Sequence, residues 1–353
     1  MSNTNQQLRD CKYEFIRLIA IYFVLCNHTL SLIPNDGTLS RDLFLNLLFT
    51  FTGSCNALYF FISGRFALQK TLKTDEEYKT FYFKKALYLI LPLVFYMMIH
   101  SFLSHYKETG SFNGLGIRII TDILCHHNGL HFWFMMFLTG NILIAPFMAK
   151  VFDGLSKTGA IIFVTLGILH NTLIAYTPYF ANVSYNWFFP FAQWSIYFYI
   201  GVCIDKIITT KKEKNIAIIV GIISLIIITL KRYFFSYQQF SHDLMPSFTF
   251  FCIMFYLVLQ EIDVNKWSEK VKSAIRFMGK RTYGIYLVHM LAIWLTIRIC
   301  PNKWNIPDIP YHSIIVIVSF IVSLISSYLA DLVIFNPIQK LCERIRNGKK
   351  KEN

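Results

Sequence analysis

The chain has little charge. Asp, Glu, Lys and Arg make up 15% of its 353 residues, where a soluble domain carries about 25%. It also lacks the punctuation that separates soluble domains, with no long linker, low-complexity tract or clear internal repeat. Phosphate-cradling and hydrolytic signatures are missing as well. No GxGxxG, Walker A, HExxH or GxSxG pattern occurs, which argues against a nucleotide-driven pump and a zinc protease. The eight cysteines, Cys11, Cys26, Cys55, Cys125, Cys203, Cys252, Cys300 and Cys342, form no CxxC pair. Most lie inside apolar runs, where Cys behaves as a small hydrophobe, so they imply neither a disulfide framework nor a metal site. The net charge is +14, but no recognition helix, zinc finger or aromatic–basic RNA platform accompanies it, so nucleic acid is not an expected partner.

What is abundant is apolar surface. Hydrophobic residues reach 55%, and Phe alone occurs 34 times. A bilayer demands this excess, because lipid-facing surface must be apolar too. A span takes about 20 predominantly apolar residues. Ten candidate runs lie at roughly 13–33, 44–68, 83–104, 130–149, 158–177, 188–205, 215–233, 244–261, 282–300 and 312–336. The expected fold is therefore all-α, a polytopic membrane helical bundle of about ten transmembrane helices. Its expected boundaries are an N-terminal tail at 1–12, a membrane domain at 13–337 and a basic tail at 338–353. The first apolar run contains Arg17 and lacks a small-residue cleavage site, so it is expected to be a retained span rather than a cleaved signal.

Basic residues set the expected orientation. With an internal N-terminus, 25 of the 34 Lys and Arg fall in cytoplasmic segments and seven in external ones. The positive-inside rule then places both ends in the cytoplasm. Much of this charge reads as topology plus attraction to anionic membrane lipid; the sharper reading gives some of it an anionic cytosolic ligand.

Ionisable groups inside spans are expensive and usually face a protein interior or a water-filled cavity. In the first span Glu14 and Arg17 stand at i, i+3 and can pair on one helix face. Arg17 and His28 are eleven residues apart, almost three whole turns, which puts both on one face about 16 Å apart. One long ligand could touch both. An imidazole inside a bundle suits proton transfer; the plainer readings are a hydrogen-bonded core histidine and a snorkelling arginine. The second span ends Phe60-Phe61-Ile62-Ser63-Gly64-Arg65. Gly64 permits close helix approach, Ser63 can bond across helices, and Arg65 either snorkels inwards or binds an anion. Further on, His127 and His131 have a metal-ligand spacing, but Gly129 interrupts any helix there and no third ligand is evident. An interfacial or re-entrant aromatic segment, with His131 and Trp133 lining a cavity mouth, is the preferred reading. Tyr283, Tyr286 and His289 follow at three-residue steps and form a stripe on one face of the ninth span.

On these residues the chain resembles the acyltransferase-3 family of bacterial membrane acyltransferases. Glu14, Arg17 and His28 match its acidic residue, Arg, ten residues and His, with Glu in place of the more usual Asp. Phe60, Phe61, Ser63 and Gly64 match a second signature. His131, Trp133 and Phe134 match a third, and the stretch from Thr282 to His289 a fourth. Tyr88 stands where the family often has a second Arg, and Asn336 rather than an acidic residue precedes Pro337. The resemblance runs over about residues 10–340.

It implies a ten-span acyltransferase-3 fold in the bacterial inner membrane. It implies an acyl-CoA donor, usually acetyl-CoA, taken from the cytosol. The implied acceptor is a carbohydrate hydroxyl in a surface polysaccharide, glycolipid or lipid-linked sugar, and no metal is implied. Arg17, Arg65, Lys84 and Lys85 become candidates for holding the donor's phosphates. His28 becomes a general base or a transient acyl carrier, with Glu14 holding Arg17 and Asn27 or Tyr286 donating to a developing oxyanion. Ser63, His131, Trp133 and His289 are candidates for the acceptor side, and segments 105–129 and 177–188 for its specificity. The alternative is an exporter of a polysaccharide or acylated intermediate. That would favour broken helices near the midplane and two related halves, whereas Pro92, Pro146 and Pro190 lie near span ends. A scaffold role leaves Glu14, Arg17 and His28 unexplained.

Overall fold

Without water to satisfy backbone groups, apolar segments this long are stable only with their hydrogen bonds closed internally. A computed structural model describes residues 3–33, 37–125, 131–180, 190–191, 193–234, 244–302 and 305–352, and among them there is no strand. The first helices are α1 (Asn3–Leu30), α2 (Leu39–Gly53), α3 (Cys55–Ala67) and α4 (Asp75–Lys85). A π-helical turn at Ala86–Ile90 leads into α5 (Leu91–Thr109), followed by α6 (Leu115–Cys125), α7 (Trp133–Asp153) and α8 (Lys157–Phe180). Next come α9 (Ser195–Ile207), α10 (Lys211–Phe234), α11 (Pro246–Gln260) and α12 (Glu269–Gly279). The chain closes with α13 (Thr282–Ile299), α14 (Asp308–Ala330), a second π-helical turn at Asp331–Phe335, and α15 (Asn336–Glu352).

Seven helical stretches among the described residues are long and apolar enough to cross a membrane. They correspond to seven of the ten expected runs. The other three runs are helical too, but each misses for its own reason. α1 has 28 residues and carries Glu14 and Arg17. α9 and α11 have 13 and 15 residues, which at about 1.5 Å per residue is well short of the ~30 Å hydrocarbon core. The expected single helix over 44–68 is two, α2 and α3, parted at Ser54. The Ser54 hydroxyl donates to the Phe51 carbonyl at 2.6 Å, a local bond that competes with the helix ladder. Residues 3–12 belong to α1, and 338–352 to α15. The two ends described there are thus helical extensions of the membrane segments.

The chain divides into two compact units. One comprises Met1–Thr71, Ile144–Lys280 and Pro307–Ser313; the other comprises Leu72–Leu143, Arg281–Ile306 and Ile314–Asn353. In the first unit α1 packs on α2, α3 and α12, α3 lies along α9, and α10 lies along α2 and α11. The α3–α9 approach depends on two glycines. A Cβ at Gly64 would collide with the Phe198 carbonyl, and one at Gly201 with the Phe61 carbonyl. Neither obstacle is a side chain that can turn away.

In the second unit α4 begins with a capping box. The Glu77 amide donates to Thr74 Oγ1 at 3.3 Å, and the Thr74 amide to Glu77 Oε2 at 3.1 Å. Carbonyls near the first π turn are taken up by side chains from other helices. Tyr283 Oη donates to the Leu89 carbonyl at 2.5 Å, and Gln339 Nε2 to the Leu87 carbonyl at 3.3 Å. Gly284 fits against Ser327, whose hydroxyl a Cβ would strike.

Replacing Gly64 by Ala is expected to destabilise the protein by about 3 kcal/mol, the upper end for overpacking, because backbone must move. Gly140→Ala, where a Cβ meets nothing within 4 Å, is expected to change stability by less than about 1 kcal/mol. Thermal unfolding of the two variants in detergent checks the difference.

Candidate functional site

The expected residues fall in both units. In the first, Glu14 and Arg17 form an ion pair at 2.6 Å, with the Glu14 side chain 13% exposed and Arg17 30%. α12 presses on this pair from one side. Gly279 faces Glu14 so closely that a Cβ there would lie 2.5 Å from Glu14 Cβ and Oε2. α12 itself is capped by Ser268, whose hydroxyl accepts from the Val271 amide. At its start the Lys272 ammonium, hydrogen-bonded at 2.9 Å, holds exposed Glu269 below the usual carboxylate range. On the other side the Arg17 guanidinium lies over the Phe66 ring at 5.9 Å. Tyr59 Oη donates to the Arg17 carbonyl at 3.3 Å. The helix that carries Arg17 runs unbroken to Leu30, so Asn27 and His28, both half-buried, keep the expected helical register to it.

Arg65 has a partner that the sequence did not reveal. Its Nη1 meets Asp205 Oδ1 at 2.5 Å, and its guanidinium lies 5.5 Å from the centroid of the Tyr13 ring. Ser63, half-buried, stands one residue before the Gly64 contact.

In the second unit three histidines converge. The ring centroids of His100 and His131 are 4.5 Å apart, and those of His131 and His289 are 5.3 Å apart. His131 is 6% exposed and His289 is fully buried. Aromatic rings close the cluster: Phe132 lies beside both His100 and His131, and Phe134 packs on Tyr286. Trp133 is half-buried at the start of α7 and meets Phe134 and Phe137. Tyr286 Oη donates to the His131 carbonyl at 2.5 Å, and His289 Nδ1 lies 2.5 Å from the Tyr286 carbonyl. A hydroxyl has one proton to donate, and that of Tyr286 goes to backbone. Tyr286 thus fixes the His131 segment against α13. Lys84 is exposed at the end of α4, and the Lys85 ammonium lies 5.2 Å from the Phe81 ring centroid.

Among the described residues no group of three or more His, Cys, Asp or Glu is placed to hold a metal ion. His127, the expected i−4 companion of His131, lies outside the described residues, as do 126–129 and 181–188 of the segments expected to set acceptor specificity.

The sequence matches the acyltransferase-3 family, described as an acyltransferase domain, over residues 12–328. The chain belongs to the acyltransferase-3 family. No curated protein and no solved structure matches it. With its apolar helices, family membership makes this a multi-pass membrane acyltransferase. The match covers all four motifs on which the resemblance rested. Some neighbours of those motifs carry no sequence signal. Asp205 and Gly279 are ordinary in their own segments and matter only through what they touch. His100 did carry a signal, being an ionisable residue inside an apolar run.

Tyr286→Phe separates two roles in this acyltransferase. A hydroxyl that holds the His131 carbonyl predicts a stability loss of about 1–3 kcal/mol and a kcat within tenfold of wild type. An oxyanion donor would instead cost about 10²–10³ in kcat. Unfolding and turnover measured on one preparation decide between them, and the first outcome is expected.

Proposed function

We propose that this acyltransferase moves an acyl group, foremost acetyl, from cytosolic acyl-CoA to a hydroxyl of a cell-surface polysaccharide, glycolipid or lipid-linked sugar. It works in the bacterial inner membrane with both termini in the cytoplasm, the orientation that the excess of basic residues in alternate segments favours. The observation that carries the reading is α1. A charged Arg17, clamped by Glu14 at 2.6 Å, precedes His28 by eleven residues on one unbroken helix. That is about 16 Å of reach, which suits a donor bound by its phosphates at one end and reacting at the other.

In this mechanism Arg17 binds the donor's phosphates through charge-assisted hydrogen bonds. Arg65, engaged by Asp205, is a weaker candidate for that task. A sugar hydroxyl is a poor nucleophile until its proton is removed. His28 takes this proton as the new C–O bond forms at the acyl carbon. Asn27 donates to the oxygen on which negative charge develops. The C–S bond then breaks, the departing thiolate takes the proton back from His28, and the products are an O-acyl sugar and free CoA. Ser63, His131, Trp133 and His289 supply hydroxyl, imidazole and indole groups of the kind that bind a sugar.

Two substitutions test the assignment with labelled acetyl-CoA and purified protein in vesicles. His28→Ala is expected to lower turnover by at least about 10²-fold, the contribution of a general base. Arg17→Ala is expected to raise the KM for acyl-CoA more than it lowers kcat. Full transfer by the His28 variant sinks the base assignment, and an unchanged KM in the Arg17 variant sinks the donor clamp.

A further inference from the structure

Two lysine-bearing segments far apart in the chain meet. Residues 70–85 hold five Lys and 340–351 hold six Lys and Arg. α4 balances Asp75, Glu76 and Glu77 at its start against Lys79, Lys84 and Lys85, whereas α15 is net positive, so the acidic start of α4 attracts α15. In the second unit α4 and α15 are joined by Arg346, whose Nη2 reaches Glu76 Oε1 at 3.0 Å and Thr80 Oγ1 at 2.6 Å. Its guanidinium also lies over the Phe83 ring, 4.7 Å from the centroid. Between the helices is a cavity of about 270 Å³ lined by Thr80, Phe83, Lys84, Glu343, Arg346 and Asn347. Glu343 is held in place by Tyr88, whose Oη donates to its Oε1 at 2.8 Å.

We infer that this α4–α15 cavity binds the nucleotide end of the acyl donor, with Arg346 and Lys84 taking a phosphate. The inference rests on the acyl-CoA reading above and adds to it a site on the C-terminal helix. Both contacts of Arg346 use Nη2, which leaves Nη1 and Nε of its rigid fork for an oxyanion. Lys84, exposed beside it, adds a point charge. A phosphate could equally come from a lipid headgroup, and the rest of the lining favours the nucleotide. A carboxylate beside a bound phosphate is unfavourable unless it accepts a hydrogen bond from the same ligand. Glu343 and Asn347 fit the amino group and hydroxyls of an adenosine, and Phe83 offers a ring edge to its base. A headgroup carrying only phosphate would leave Glu343 opposing it. The neighbouring π turn at Ala86–Ile90 is a feature frequent at functional sites.

The test uses the full chain purified in detergent and unacylated CoA as probe, so that binding is read without turnover. Arg346→Ala and Lys84→Gln are each expected to weaken CoA binding roughly tenfold or more, as the loss of a charged hydrogen bond does. They should also reduce the preference for CoA over 3′-dephospho-CoA. Arg346→Lys, which keeps the charge but not the fork, should fall between, and circular dichroism confirms that each variant is folded. Unchanged CoA affinity in both folded variants overturns the inference and leaves the acyl-CoA reading standing. So does a change confined to the binding of phosphatidylglycerol vesicles, which would assign the cavity to a lipid headgroup. Wild-type protein that binds no CoA at all overturns both.

Discussion

A carbonyl in hydrocarbon must find a donor inside the protein, and much of this structure is the working out of that constraint. Regular helix satisfies it over most of the chain. Where the helix is irregular, a side chain completes it. The π turn at Ala86–Ile90 places the Leu87 and Leu89 carbonyls within reach of Gln339 and Tyr283. Tyr59 serves the Arg17 carbonyl and Tyr286 that of His131. Tyrosine suits the task because its ring adds apolar area while its hydroxyl travels to the next helix. Threonines along the spans bond back to the carbonyl four residues earlier, as Thr29 does to Leu25 and Thr229 to Leu225. This needs no partner helix at all.

The same constraint bears on the site. Glu14 and Arg17 neutralise each other at 2.6 Å, so the helix that bears them enters its unit as a pair rather than as two separate charges. The pair needs room, and Gly279 makes it by having no side chain where Glu14 passes. In the other unit the buried histidines sit among Phe132, Phe134 and Tyr286. They are held by backbone contacts at the Tyr286 and His131 carbonyls. In each case a small or aromatic neighbour makes room for the ionisable groups or closes around them.

How far the sequence could be read follows from the range of each interaction. Spans are properties of 20 consecutive residues, and the helices lie where apolar runs do. The Glu14–Arg17 pair spans three residues on one helix, and it too was legible. The break at Ser54 was less so, because one hydroxyl turning to the Phe51 carbonyl leaves hydropathy unchanged. Contacts across 140 to 270 positions, such as Arg65 with Asp205 and Arg346 with Glu76, were not legible at all. No local pattern marks which of several Asp or Glu a given Arg will meet. The partner of Tyr286 was hidden for a related reason: its hydroxyl was visible as a donor, but its acceptor is a backbone carbonyl 155 residues away.

α1, the expected active helix, is one of three expected runs that fall short of a membrane span. It is long, with 28 residues, yet Lys12, Glu14 and Arg17 make its first half too polar to face lipid. Such a helix is tolerable in a membrane only if other helices surround its polar face, and α2, α3 and α12 pack on it. α12 is amphipathic, with Lys272 and Ile275 buried and Glu269 exposed. It covers the end of α1 where Glu14 lies, and α3 meets the same end through Tyr59 and Phe66. A helix recruited only for anchorage would have no reason to carry groups that must be hidden in this way. On the proposed function, the polarity of α1 serves a charged donor at one end and a proton acceptor at the other, and the packing of α2, α3 and α12 makes that polarity bearable.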